Sequence, residues 1–217
     1  MADRGAVSPA PRLVLASASP RRHALLAALG LPHDVVVPRF DEATLRHLAP
    51  RAQALAAARA KAAEVAARRS GAWVVGADTV VELEGRALGK PADRAEAGRM
   101  LGALSGRDHE VISAVAVVNP GGDEATGWAL SMVRFRRLEP AEIDDYIAGG
   151  EPMDKAGAYA IQGGAAAFAG VMRGRVDTVV GLPGHVVARL LGRLGHPDAA
   201  RVARASRDGG SANLHRR

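Results

Sequence analysis

Residues 13–22 read Leu-Val-Leu-Ala-Ser-Ala-Ser-Pro-Arg-Arg, an apolar run of strand length that turns through Ser17 and Ser19 into Pro20. A short apolar run bounded by turn residues reads as a buried strand. Proline is favoured at the first position of a helix. Behind it Leu25, Leu26 and Leu29 recur at helical spacing, and Gly30 ends the pattern. A strand running straight into a helix is the joint from which α/β sheets are built. That joint sets Arg21 and Arg22 in the first helical turn, where partial positive charge and unpaired N–H groups already gather. Two readings fit. Serine hydroxyls, arginines and free amides form a cradle for phosphate, or a serine-capped surface helix holds its arginines in water.

The rest of the chain repeats the alternation. Val35-Val-Val37 is a short strand, followed by the carboxylates of Asp41 and Glu42. Residues 50–69 are alanine-rich, and Leu55, Ala58, Ala62 and Val65 fall on one stripe of a long helix. From that helix alone, Lys61 reads as an exposed lysine paired with Glu64 at i,i+3. Residues 72–77 read as a buried strand ending at Asp78-Thr79. Gly89-Lys-Pro91 is not a Walker loop, because proline stands where Ser or Thr is required. Asp93 and Glu96 form a capping-box pair ahead of Ala97, Met100, Leu101 and Leu104. Residues 111–118 and 128–135 flank Asn119-Pro-Gly-Gly122 as a hairpin. Pro140 opens a helix, residues 165–172 and 176–181 read as strands, and Pro183 leads into a last helix. The predicted fold is α/β, a mixed twisted sheet with flanking helices and two lobes around a central cleft.

Composition narrows the function. With no cysteine, disulfides and thiolate chemistry are excluded. No apolar run approaches the length of a membrane span and the start lacks a signal-peptide core, so a cytoplasmic protein off the membrane is expected. The net charge is +6, but half of it lies after Gly195, where five arginines face two aspartates. Aromatics are 3% of residues, too few for a base-stacking platform, so nucleic acid is not the expected partner. The expected organisation is a flexible start at 1–11, one domain at 12–195, and a disordered basic tail at 196–217.

Four blocks then stand in order. They are Leu15-Ala-Ser-Ala-Ser-Pro-Arg-Arg22, Gly76-Ala-Asp-Thr-Val-Val81 with Gly89-Lys-Pro91, Leu104-Ser-Gly106 with His109, and residues 151–163 with Val179-Val-Gly-Leu-Pro183. The set closely resembles the Maf family, septum-formation-associated nucleoside triphosphate pyrophosphatases, over about residues 12–195. The resemblance implies metal-dependent hydrolysis of a nucleoside triphosphate to monophosphate and pyrophosphate, with Mg²⁺ or Mn²⁺ as cofactor. By the same resemblance Asp78 is the catalytic acid and a metal ligand with Glu42. Lys61 and Lys90 contact phosphate, with Ser17 and Arg22 beside them. Arg21, Thr79 and Gln162 match positions that separate substrate classes, and the variants here are similar to the dTTP and UTP branch. The family's house-cleaning role and its link to cell-division arrest follow as implications, and a homodimer stays open. The alternatives are a non-catalytic nucleotide-binding regulator of septum formation, or a pyrophosphatase of 7-methylguanosine or purine triphosphates. Two departures stand out. Ala160 replaces a usual glycine, and Gly174-Arg-Val-Asp-Thr178 replaces a usual Gly-Ser-Tyr.

The chemistry asks for these residue types. Attack at the α-phosphorus needs a positioned water, a base for its proton, and positive charge where pyrophosphate departs. A carboxylate serves the first two needs, and lysines and arginines the third. His109 is left open between a role at the site and a merely structural one, packing or pinning a loop.

Overall fold

The computed structural model describes residues 12–208; the expected flexible segment 1–11 and the final residues 209–217 lie outside the described residues. β1 (Leu13–Ala16) passes into α1 (Pro20–Ala28) with Ser19 as N-cap, its hydroxyl accepting from the Arg22 N–H at 3.4 Å. β2 (Asp34–Val36), α2 (Pro50–Arg68), β3 (Trp73–Leu83), β4 (Arg86–Leu88) and α3 (Arg94–Leu104) follow. The hairpin is β5 (Asp108–Val118) and β6 (Glu124–Phe135), and then come α4 (Pro140–Ala148), β7 (Ala169–Arg173), α5 (Val176–Val180), α6 (Gly184–Arg193) and α7 (Ala199–Asp208).

The strands form one sheet in the order β2-β1-β3-β5-β6-β7, with β4 on β3. β1 runs parallel to β2 and β3, and the other pairings are antiparallel. The expected mixed α/β sheet with flanking helices is therefore present. Period-two alternation sorts the side chains of β3 and β5 between the two faces. Val74, Val80, Ile112, Ala114 and Ala116 face α2 and form one apolar core with its Ala54, Ala58, Ala62 and Val65. On the opposite face lie two separate cores. One gathers Trp73, Val75, Val115 and Val117 beneath α1, α6 and α7, and the other gathers Val81, Val111, Val133 and Phe135 beneath α3 and α4. These are the two lobes.

A polar seam divides them. Thr79, Ser113 and Ser131 stand on that face between the cores, and the 175–181 segment lies along them. The Arg175 carbonyl accepts from Ser131, the Thr178 carbonyl from Ser113 and the Gly181 carbonyl from Arg22, at 2.9, 2.7 and 2.9 Å. This explains one correction, because residues 176–181 were expected to be a strand and 176–180 are helical. Their backbone groups are satisfied by side chains of the sheet and by the Asp177 carbonyl, which takes the N–H groups of Gly181 and Leu182, so no ladder is needed. The other expected strand shortens, with a 3-10 turn at Gly164–Ala167 before β7.

The tail also differs from expectation. Residues 196–208 were expected to be disordered, yet 199–208 form α7 against α6, with Val202 fully buried in the α1/α6 core. Arg175 donates to the Ser206 carbonyl at 2.6 Å, so the atypical 174–178 segment is one anchor of that helix. The sequence concealed this because the apolar side of the helix is mostly alanine. Among the described residues no helix is long and apolar enough to cross a membrane.

Candidate functional site

Asp78 was expected at the end of a strand, but β3 runs unbroken through it. The break belongs to its neighbours. β1 pairs with β3 only as far as Gly76, and the pairing of β3 with β4 starts only at Val81, opposite Leu88, so residues 77–80 form an open edge at the cleft. Such an edge exposes both faces of a strand at once, with Asp78 toward α2 and Thr79 toward the seam.

Close approach of α2 builds the first side. A Cβ on Gly76 would lie 2.4 Å from the Ala58 carbonyl oxygen and 2.8 Å from the Ala62 N. Only glycine against an alanine-lined helix lets the two backbones come this near. As a result Lys61 is not on the surface with Glu64. It is 5% exposed, and its Nζ lies 2.7 Å from Asp78 Oδ1 and 2.5 Å from Glu42 Oε1. Glu64 pairs with Arg68 instead. Glu42 opens a 3-10 turn capped by Asp41, whose side chain accepts from the Ala43 N–H, so the neighbouring carboxylates split into a cap and a site residue.

The two carboxylates are shifted in opposite directions. Burial pushes Asp78 above the usual carboxylate range, the Lys61 and Arg22 charges pull it back only in part, and Glu42 adds to the rise. For Glu42, whose side chain is 43% exposed, burial also pushes upward, but the charge and hydrogen bond of Lys61, with Lys90 and Arg22, outweigh it and hold the group low. A buried, proton-seeking carboxylate beside an open, ionised one is the pattern that separates base from charge holder.

The cleft at this edge has a volume of about 420 Å³. Ser17, Arg21, Arg22, Lys90, Thr79 and Gln162 all line it, together with the Lys61 group. The opening block realises neither of its two readings in full. Ser19 caps the helix, but Arg22 is not in water, and it donates to the Gly181 carbonyl, to Ser17 Oγ at 3.3 Å and to Thr79 Oγ1 at 3.1 Å. Three of its five N–H groups are thus spent on protein, leaving two. Burial lowers its pKa, opposed by Asp78 and Glu42, and a guanidinium stays charged regardless. Gln162 and Lys90 are exposed at the cleft wall.

The 151–163 segment is pinned, not floating. Tyr159 Oη meets His109 Nε2 at 2.8 Å, the Ala160 N–H donates to Tyr146 Oη, and the Gly157 N–H donates to the Gly89 carbonyl. Ala158 is held at φ +61°, strain of the sort that collects at functional loops. Burial drives the His109 pKa down to about 4, and its ring packs edge-on against Phe135 and Tyr159, so this histidine is a neutral loop anchor. Ser113, Tyr146 and Tyr159 were not singled out from the sequence. A serine in an apolar strand is a weak signal, and a tyrosine in a helical stripe reads as core.

Comparison with known proteins bears on these residues together. The family model described as Maf-like protein matches residues 12–194. The chain belongs to the Maf family. A dTTP/UTP pyrophosphatase from Moorella thermoacetica is 52% identical over 185 residues, covering 85% of this chain and 95% of that protein. Those from Symbiobacterium thermophilum and Anaeromyxobacter dehalogenans are 47% and 50% identical over 86% and 87% of this chain, covering 95% and 96% of those proteins. The Maf match ends at the close of α6, so α7 lies beyond it.

A metal fits this donor set. Among the described residues no three His, Cys, Asp or Glu side chains converge, but Asp78 and Glu42 meet at one ammonium. Two carboxylates, completed by water and substrate phosphate oxygens, suit a hard divalent ion better than a closed protein cage would.

Proposed function

We propose that this Maf protein hydrolyses dTTP and UTP to the monophosphate and pyrophosphate, with Asp78 as the group that orients and deprotonates the attacking water. The observation that carries the reading is a carboxylate held almost out of solvent on an open strand edge, hydrogen-bonded to a buried lysine. A protein that merely binds nucleotide needs the cations but gains nothing from burying Asp78. The names borne by its relatives supply the substrate.

The residues divide the work. Asp78, raised by burial, takes the proton of a water approaching the α-phosphorus. Lys61 holds Asp78 and Glu42 in register across the cleft floor. Lys90 and Arg21 on the cleft wall supply positive charge where the leaving pyrophosphate accumulates negative charge. Asp78 and Glu42 would hold Mg²⁺ or Mn²⁺, which when bound supplies further charge neutralisation to the phosphates. Gln162 on the wall offers a donor and an acceptor to a pyrimidine edge.

The test is product analysis over a panel of UTP, dTTP, CTP, 7-methyl-GTP and ITP, with Mg²⁺, with Mn²⁺ and with chelator. Pyrophosphate and monophosphate from UTP and dTTP in the presence of metal are expected. Orthophosphate with a diphosphate product places attack at the wrong phosphorus and refutes the reading, and tight binding without turnover favours the regulator.

A further inference from the structure

The seam that separates the two lobes contains a hydrogen-bond chain whose direction can be read without seeing a proton. Arg22 Nη2 donates to Thr79 Oγ1 at 3.1 Å, Thr79 Oγ1 lies 2.8 Å from Ser113 Oγ, and Ser113 Oγ lies 2.7 Å from the Thr178 carbonyl. A guanidinium only donates and a carbonyl only accepts. Ser113 is fully buried, and its one proton is committed to Thr178, whose carbonyl is left to it because the Leu182 N–H bonds Asp177 instead. The Thr79–Ser113 contact therefore runs one way, with Thr79 donating. Thr79 has given away its only proton and has accepted one from Arg22, so a single lone pair is left.

We infer that Ser113 is a positioning residue for substrate choice: by fixing the Thr79 hydroxyl as an acceptor toward the cleft, it selects a base edge that carries a donor. The inference rests on the pyrophosphatase reading above and deepens it. Thr79 lines the cleft on the strand face opposite Asp78 and Lys61. Under this inference the triphosphate sits on the Asp78 side of the open edge and the nucleoside on the Thr79 side, both of which line the cleft. Uracil and thymine carry an N3–H, which the free lone pair accepts. Cytosine carries a bare N3 there, so two acceptors would face each other in a partly dry site. Gly181 holds the opposite wall close, since a Cβ on it would lie 3.0 Å from Thr79 Oγ1 and 3.2 Å from Arg22 Nε, which leaves the hydroxyl little room for another arrangement.

The experiment measures kcat/KM for UTP and CTP in the wild type and in Ser113→Ala. The variant leaves Thr79 intact but removes its acceptor, so the hydroxyl can turn and donate to cytosine N3. The UTP:CTP ratio is expected to fall about tenfold, mainly through improved CTP turnover. A ratio measured on one preparation is independent of the fraction folded. Ser113→Cys preserves size and packing with a weakly accepting sulfur, and it is expected to fall between the two. It also serves as the variant of choice if Ser113→Ala is insoluble. An unchanged ratio in a folded variant, whether or not both rates drop together, overturns the inference and leaves Ser113 structural. Wild-type protein that releases no pyrophosphate from UTP sinks the pyrophosphatase reading itself, which is a separate result.

Discussion

Asp78→Asn sets the chemistry of the site against its stability, and the two are expected to move apart. Asp78 is 7% exposed, and burial raises its carboxyl, so its charged form is disfavoured in the native state relative to the unfolded chain. Asparagine keeps the shape and removes that cost. Against this, the hydrogen bond to Lys61 at 2.7 Å keeps its ammonium donor but loses the acceptor's charge, a loss of about 1 kcal/mol. Lys61 is not orphaned, because Glu42 remains at 2.5 Å. The terms nearly cancel, and a net change within about 1 kcal/mol moves the melting temperature by roughly 2–4 °C for a chain of this size. With Asp78 as the proposed base, its loss is expected to lower kcat by roughly 10²–10⁴. The pH dependence is a further check. A carboxyl raised in the native state favours folding below its unfolded value of 3.8, and that contribution is lost as pH rises through the native pKa. The variant loses this fall, and the depressed Glu42 remains, whose contribution is lost on acidification. Calorimetry over pH 3–8 with steady-state kinetics reads both. A variant that keeps activity within a few-fold, or that melts far below the wild type, refutes the argument.

Truncation before Pro197 is expected to cost at least about 3 kcal/mol, because it removes the fully buried Val202 and the α7 bond to Arg175, and thermal melts that coincide with the full chain would refute it. His109 has its native pKa lowered to about 4 from 6.5, so it contributes stability above pH 6.5 that is lost as pH falls toward 4, at most ~3 kcal/mol. His109→Phe is expected to flatten that acid limb in denaturant titrations. Gln162→Ala, at an exposed cleft position, is expected to change stability by less than ~0.5 kcal/mol while cutting kcat/KM for UTP and dTTP far more than for other triphosphates. An unchanged panel would make Gln162 structural.

Much of this protein was legible in the chain alone. The strand-to-helix joint at 13–22, the Asp93 N-cap and the hairpin around residue 120 formed as read, with Glu96 accepting from the Ala92 N–H one residue before the cap, since each is a local pattern whose physics is complete within a few residues. The cleft residues are brought together as the ordered blocks implied. What the sequence could not decide depended on what each element packs against. Lys61 reads as a surface lysine on its own helix, and only the glycine-to-alanine contact with β3 draws it under the sheet to Asp78. Residues 176–180 carry a strand's β-branched side chains, but hydroxyls from β5 and β6 satisfy their backbone and leave them helical. The tail looked too poor in apolar residues to order, yet alanines suffice when Val202 enters a core that α1 and α6 have already assembled. Local pattern sets which elements exist, because hydrogen bonds and periodicity act over a few residues. Tertiary structure alone decides which polar groups are buried, and in this protein Asp78 is one of them.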